Sequence, residues 1–140
     1  MSTPCPPAGS IIKGLIIRAP WIDLILDGHK CWEMRKKATE QRGWIALIQS
    51  GTGAVQGVAQ LVDCLPRISV ADYNAHFAQH RVPADEVLPG DPYTVPWVMA
   101  HARRLAEPVP YRHRHRQGAV IWVGLEPQVG AAIERQRDRS

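Results

Sequence analysis

The chain has 140 residues, 45% of them hydrophobic, and carries a formal net charge of +4. That length supports a single core without disulfide or metal staples, and no apolar run approaches the roughly 20 residues needed to span a bilayer. Three cysteines, Cys5, Cys31 and Cys64, lack metal-ligand spacing and point to a reducing cytoplasm, while the mild positive charge is compatible with nucleic acid without requiring it.

Met1–Ser10 carries three prolines among small residues and reads as a disordered tail before a domain spanning residues 11–125. Ile11–Arg18 reads as a buried strand; Lys13 and Gly14 interrupt it too early for a signal peptide. Pro20 opens a helix in which Trp21, Leu24 and Ile25 share a face until Gly28 stops it. Cys31–Lys37 alternates as a strand, Gly43–Gln49 is a strand rich in Ile, Leu and Trp, and Ser50-Gly51-Thr52-Gly53 is a turn. Ala54–Cys64 alternates again, with Gly57 as the expected bulge. Ser69 and Asp72 form an acidic capping box that opens a helix to about His80. Val82–Pro92 is a loop. Trp97–Leu105 and Ala119–Leu125 are the last strands, separated by a Pro- and Arg-rich connection. Residues 126–140 form a second tail, poorly ordered or loosely helical, because 130–137 offers few apolar positions for docking. Many short strands with few helices imply an α+β class and a small mixed barrel, whose closure also hides strand edges.

The stretch Gly28-His29-Lys30-Cys31-Trp32-Glu33-Met34-Arg35 admits two readings. Alternating charge on a strand is ordinarily a solvated face. The other reading is the floor of a polar site. With a strand starting near Cys31, Glu33 and Arg35 share a face, and Lys30 joins them only if the chain kinks at Gly28–Lys30. Arg35 then holds Glu33, and Lys30 supplies a mobile charge or, once deprotonated, a base. A lysine or carboxylate facing such a cleft is expected to contribute little to core burial.

Other candidates are weaker. Cys31 beside Lys30 has the setting of a nucleophile but no visible His–Asp partner, and packing is the plainer role. Trp32, Trp44 and Trp122 fit strand cores, whereas Trp21 and Trp97 follow prolines at element starts, where a ring lines a cleft or simply packs. His76 and His80 have metalloprotease spacing without the adjacent glutamate. His113 and His115 alternate with Arg112, Arg114 and Arg116; such a cationic run disfavours a divalent ion and suits phosphate contacts or a solvated loop. No metal and no cofactor is expected.

"LIIRAPW" followed by "ILDGHKCWEMR" resembles the ASCH domain, whose signature Gly-x-Lys-x-x-Glu-x-Arg is filled by Gly28, Lys30, Glu33 and Arg35. "GWIALIQSG", "VQGVAQLVDCL" and "RQGAVIWVGL" resemble the bacterial branch of that family, so the likeness spans residues 11–125. The resemblance implies a PUA-like β-barrel of about five to six strands with two or three flanking helices. It also implies a cleft whose signature residues Lys30, Glu33 and Arg35 face a modified cytidine nucleoside or RNA. Members divide between amidohydrolases of N4-acetylcytidine and related N4-acylcytidines, a ribonuclease, and non-catalytic RNA-binding modules. The amidohydrolase lysine matches Lys30; the threonine nucleophile of those enzymes falls at Glu33, and their catalytic glutamate falls near His80, with Glu86 close by. Trp21, Ser50, Gly51, His80 and Trp97 are the expected ligand-lining residues, with Arg112, Arg114 and Arg116 as phosphate contacts. No membrane partner is implied.

Overall fold

A computed structural model describes residues 6–7, 9–86, 91–112 and 121–137. Its elements are β1 (Lys13–Ile17), α1 (Trp21–Leu26), β2 (Trp32–Arg35), β3 (Gly43–Gln49), β4 (Ala54–Cys64), α2 (Val70–Ala75), α3 (Phe77–His80), a 3₁₀ turn (Ala84–Glu86), β5 (Val95–Pro110), β6 (Trp122–Gly124) and α4 (Pro127–Arg137). The strands form one six-stranded sheet in the order β2-β5-β4-β3-β1-β6. β1 and β3 run parallel and the other pairs antiparallel, so the sheet is mixed.

β2 and β6 lie at opposite edges, yet the two sides meet. Trp97 of β5 stacks on Trp122 of β6 at 5.8 Å between ring centroids. The Arg35 guanidinium of β2 donates to the Ile16 carbonyl of β1 at 2.9 Å. The sheet is therefore curled into a half-barrel with a seam between β2 and the β1–β6 edge. Register shifts at Val55/Gly57, Val58/Gln60 and Leu61/Asp63 supply the bending, since each bulge adds local twist. His101 takes φ 55° opposite the second of these shifts. The first lies at Gly57, where an added Cβ would collide with the Arg103 carbonyl and the Leu26 side chain, so α1 packs directly on bare backbone.

Both faces of β3 are covered, which explains its unbroken apolar run. Ile45 and Leu47 join the interior cluster with Leu15, Ile22, Ile25, Leu61, Trp97 and Met99 under α1. Ala46 and Ile48 join the opposite cluster with Val55, Val58, Val129 and Ile133 under α4.

Four expectations change. The helix expected from Ser69 to about His80 does start where the Ser69 hydroxyl accepts the Asp72 N–H, but it breaks at His76 into α2 and α3. The C-terminal segment is not loose. Val129 and Ile133 are spaced by four, so α4 has one apolar stripe, and both are buried, each worth roughly 1.5–3 kcal/mol. Pairing continues this docking: the Gly9 N–H bonds Glu134, and Gln136 exchanges two hydrogen bonds with the Glu107 backbone. Helices thus number four rather than two or three among the described residues. β5 also runs on through Pro108 and Pro110, where the sequence suggested a connection. No helix of the described residues is long and apolar enough to cross a membrane.

Candidate functional site

The seam of the half-barrel holds the charged residues of the 28–35 stretch. α1 ends in a Schellman turn: Gly28 at φ +85° donates to Ile25, and the His29 N–H reaches back to Leu24. The Lys30 N–H also bonds the Leu24 carbonyl. That kink places Lys30 ahead of β2 and turns its side chain inward. Glu33 and Arg35, two residues apart on β2, point to the same face.

The three side chains converge. Arg35 donates through Nε at 3.2 Å and Nη2 at 2.8 Å to one oxygen of Glu33, Oε2. The other oxygen, Oε1, lies 3.8 Å from Lys30 Nζ. Lys30 Nζ also donates to the His80 carbonyl at 2.6 Å, and sits 5.1 Å from the Trp21 ring centre. The Arg35 guanidinium lies 5.5 Å over Trp97, whose indole N–H donates to the Lys37 carbonyl at 2.9 Å. Arg35 Nη1 has no acceptor among the described residues. Lys30 and Glu33 are only 3% and 5% exposed, so they are core groups, contrary to the small burial expected of them. Burial pulls the Lys30 pKa from 10.5 down to about 8; Arg35 adds to the fall and Glu33 opposes it.

Residues 79–81 clasp the kink from α3. The Gln79 carbonyl accepts the Cys31 N–H at 2.9 Å, the His80 carbonyl accepts Lys30 Nζ, and Arg81 Nε donates to the His29 carbonyl at 2.9 Å. The His80 ring holds this end in place. Its Nδ1 accepts the Val82 N–H at 2.8 Å, which leaves Nε2 as the donor to the Tyr73 carbonyl at 2.5 Å. That is the neutral tautomer, and burial lowers the His80 pKa in the same sense.

The other expected site residues divide. His80 is 0% exposed with both ring nitrogens committed, so its side chain has no polar atom left for a ligand. Trp97 is buried as a wall behind Arg35, whereas Trp21 is half-buried beside Lys30. Ser50 and Gly51 sit in the exposed turn after β3, and the Ser50 N–H bonds Ile17, next to the carbonyl that Arg35 grips. Arg112 is exposed just after Tyr111, whose N–H bonds Gly53 in that same turn. Arg114 and Arg116, with His113 and His115, lie outside the described residues. His76 stacks on Trp32 at 4.9 Å and does not share a helix face with His80. Sequence reasoning missed the anchoring carbonyl of His80, which no side-chain pattern announces, and the Arg35–Ile16 bond across the seam.

The family model of the ASCH domain matches residues 15–110. This chain belongs to the ASCH domain family. The crystal structure of ASCH from Zymomonas mobilis superposes on this ASCH domain with a TM-score of 0.65 at 11% identity, covering 88% of this chain and 93% of that one. A serine-to-alanine variant of the same protein gives 0.65 at 11% identity over 92% and 97%. A tyrosine-to-phenylalanine variant gives 0.64 at 11% identity over 88% and 96%. At that identity the likeness shows the fold, a PUA-like α+β half-barrel, and nothing finer. Comparison with curated proteins finds no match.

Proposed function

We propose that this ASCH domain binds a cytidine-like base at its seam and hydrolyses an N4-acyl amide, as in N4-acetylcytidine or a related N4-acylcytidine, without a metal. The observation that carries the reading is Lys30: an ammonium buried beside an anchored carboxylate, with its pKa brought down to about 8. At pH 7 about a tenth of such a lysine is neutral, enough to act as a general base near the operating pH.

In this mechanism neutral Lys30 removes a proton from a water held against Glu33 Oε1. The water oxygen bonds to the acyl carbon, and the carbonyl electrons move to oxygen. Arg35 Nη1, which carries the unassigned N–H groups, faces the resulting oxyanion. Collapse breaks the C–N4 bond, and the Lys30 proton passes to the departing N4. The products are cytidine and a carboxylic acid. Glu33 cannot serve as the threonine-type nucleophile of the amidohydrolases, so its role is to orient water while Arg35 fixes it. Lys30 is closed to solvent, and substrate entry requires a neighbour to move; the Trp21 indole makes no hydrogen bond among the described residues and is the candidate.

A second reading, a non-catalytic RNA-binding module, is favoured by the same number: at pH 7 most Lys30 is charged and bonded to His80, a recognition donor rather than a base. Arg112, together with Arg114 and Arg116, would then contact phosphates. Purified protein incubated with N4-acetylcytidine and with short RNA, in EDTA, separates the two. Cytidine release supports hydrolysis; RNA binding without release of cytidine or RNA fragments replaces it with the binding reading, and RNA fragments indicate a ribonuclease.

A further inference from the structure

We infer that His80 is the positioning residue for Lys30 and also its acid-operated release: protonation of the ring opens residues 79–82 and frees the lysine that the His80 carbonyl docks. The inference rests on Lys30 as the working group of the proposed hydrolase and adds regulation of that site by protons.

The ring and the lysine share one short turn. Lys30 Nζ donates to the His80 carbonyl at 2.6 Å, while the ring of the same residue is held at both nitrogens. Nδ1 accepts the Val82 N–H at 2.8 Å, and Nε2 donates to the Tyr73 carbonyl at 2.5 Å. Between them Arg81 takes φ 63°, the left-handed region that a residue with a side chain ordinarily avoids. Bonds on both sides keep it there: its N–H reaches the Phe77 carbonyl at 2.8 Å and its Nε the His29 carbonyl at 2.9 Å. The His80 ring is fully buried, 4.2 Å from the Tyr73 ring centre and edge-on to Phe77. The backbone atom that docks the lysine is therefore fixed through its own ring.

Only the neutral ring fits. In an imidazolium both nitrogens carry hydrogen, so Nδ1 becomes a donor facing the Val82 N–H, itself a donor. A bond that held the turn becomes a repulsive contact at a fully buried group. The groups facing the ring offer no compensation. Lys30, from the turn before β2, and His76, between α2 and α3, both oppose a positive charge there, and the Tyr73 phenol, raised by burial, stays neutral. No carboxylate pairs with the ring among the described residues; Glu33 serves Lys30 and Arg35. The strained turn at Arg81 is where this conflict is relieved. Opening it withdraws the His80 carbonyl from Lys30 and the Gln79 carbonyl from the Cys31 N–H. The sign follows from the lowered His80 pKa: a released ring titrates near 6.5 and the closed ring below it. The clasp is thus complete above pH 6.5, and each pH unit below favours the open form by up to about tenfold.

The clasp can be read without turnover. In the wild-type protein, NMR follows His80 protonation through its ring nitrogens and hydrogen exchange at the Val82 and Cys31 amides, from about pH 7 to about pH 5. After correction for the intrinsic rate, both amides should exchange about tenfold or more faster at the acid end, with no added urea dependence, as local opening requires. The Lys30 N–H, bonded to the Leu24 carbonyl in the turn that closes α1, should stay protected. Lys30→Met removes the facing cation and its hold on the His80 carbonyl, so the His80 midpoint should rise. His80→Gln should abolish the acid-driven opening; if that variant does not fold, the wild-type and Lys30→Met measurements decide. Val82 and Cys31 amides that stay protected, an equal loss at the Lys30 amide, or a His80 midpoint that does not rise in Lys30→Met overturns the inference. If N4-acetylcytidine is never hydrolysed but these amides open with the ring, the hydrolase reading fails and this one stands. If it is hydrolysed at a rate that falls only about tenfold per pH unit throughout this range, with both amides protected, the hydrolase reading stands and this one fails.

Discussion

Replacing Lys30 by methionine keeps the length and volume of the side chain and removes its titration. A lysine whose pKa falls from 10.5 to about 8 on folding costs the native state about 3 kcal/mol while it is charged. The unfolded chain keeps its proton up to about pH 10.5, whereas the folded protein gives it up near 8. Between those values the unfolded state binds more protons, so stability rises with pH. Integrated from about pH 7 to about 9.5, the gain is about 2 kcal/mol. Tyr73 and Tyr111, both raised by burial, act in the opposite direction above about pH 10, which closes the window there. Urea unfolding followed by tryptophan fluorescence across this range reads the effect as a midpoint shift of about 1 M. In Lys30→Met that rise should vanish. At pH 7 the variant loses the cost of burying a charge but also leaves the His80 carbonyl without its donor, so its stability there is a small difference. The slope is the diagnostic. A variant whose midpoint climbs with pH as steeply as the wild type would refute a depressed Lys30 pKa.

The remaining predictions concern the site and its support. Lys30→Ala and Glu33→Gln should each lower nucleoside turnover by about a hundredfold or more, while Cys31→Ser stays within a few-fold, as a product assay on the three variants would show. Because Glu33 is buried between two cations, Glu33→Gln should also lower stability, by about 3 kcal/mol; a melting temperature equal to wild type would contradict that. The lowered His80 pKa means that the unfolded chain takes up a proton first as pH falls below 6.5, so stability should drop there. His80→Gln should lose that acid sensitivity along with overall stability. Gly57→Ala, which drives a methyl group into the Arg103 carbonyl, should cost about 1–3 kcal/mol by thermal melting; an unchanged melt would mean α1 does not pack as described.

Local chemistry made much of this fold readable. β3 and β4 run over Gly43–Gln49 and Ala54–Cys64, as their β-branched and alternating residues suggest, and Ser69 caps its helix as a capping box should. The misses came from tertiary context. Pro108 and Pro110 looked like a connection, yet they sit at the end of a strand long enough to wrap the sheet. α4 looked too polar to dock, but Ile11 and the outer face of β3 complete a cluster that a count of its own apolar residues does not include. In the site, the spacing of Glu33 and Arg35 was legible because a strand repeats every two residues. The Lys30 position depended on the Gly28 turn, and its anchoring on a backbone carbonyl 50 residues away, which a side-chain pattern cannot reveal. The burial of the cluster was missed for the same reason: the clasp from α3 is a product of folding.

If Lys30 is the base in amide hydrolysis, the rate of cytidine release from N4-acetylcytidine in EDTA must depend on pH. That rate should climb toward a plateau with a midpoint near pH 8, following the neutral form of Lys30. No cytidine above the protein-free control, or a rate unchanged across that range, would contradict it.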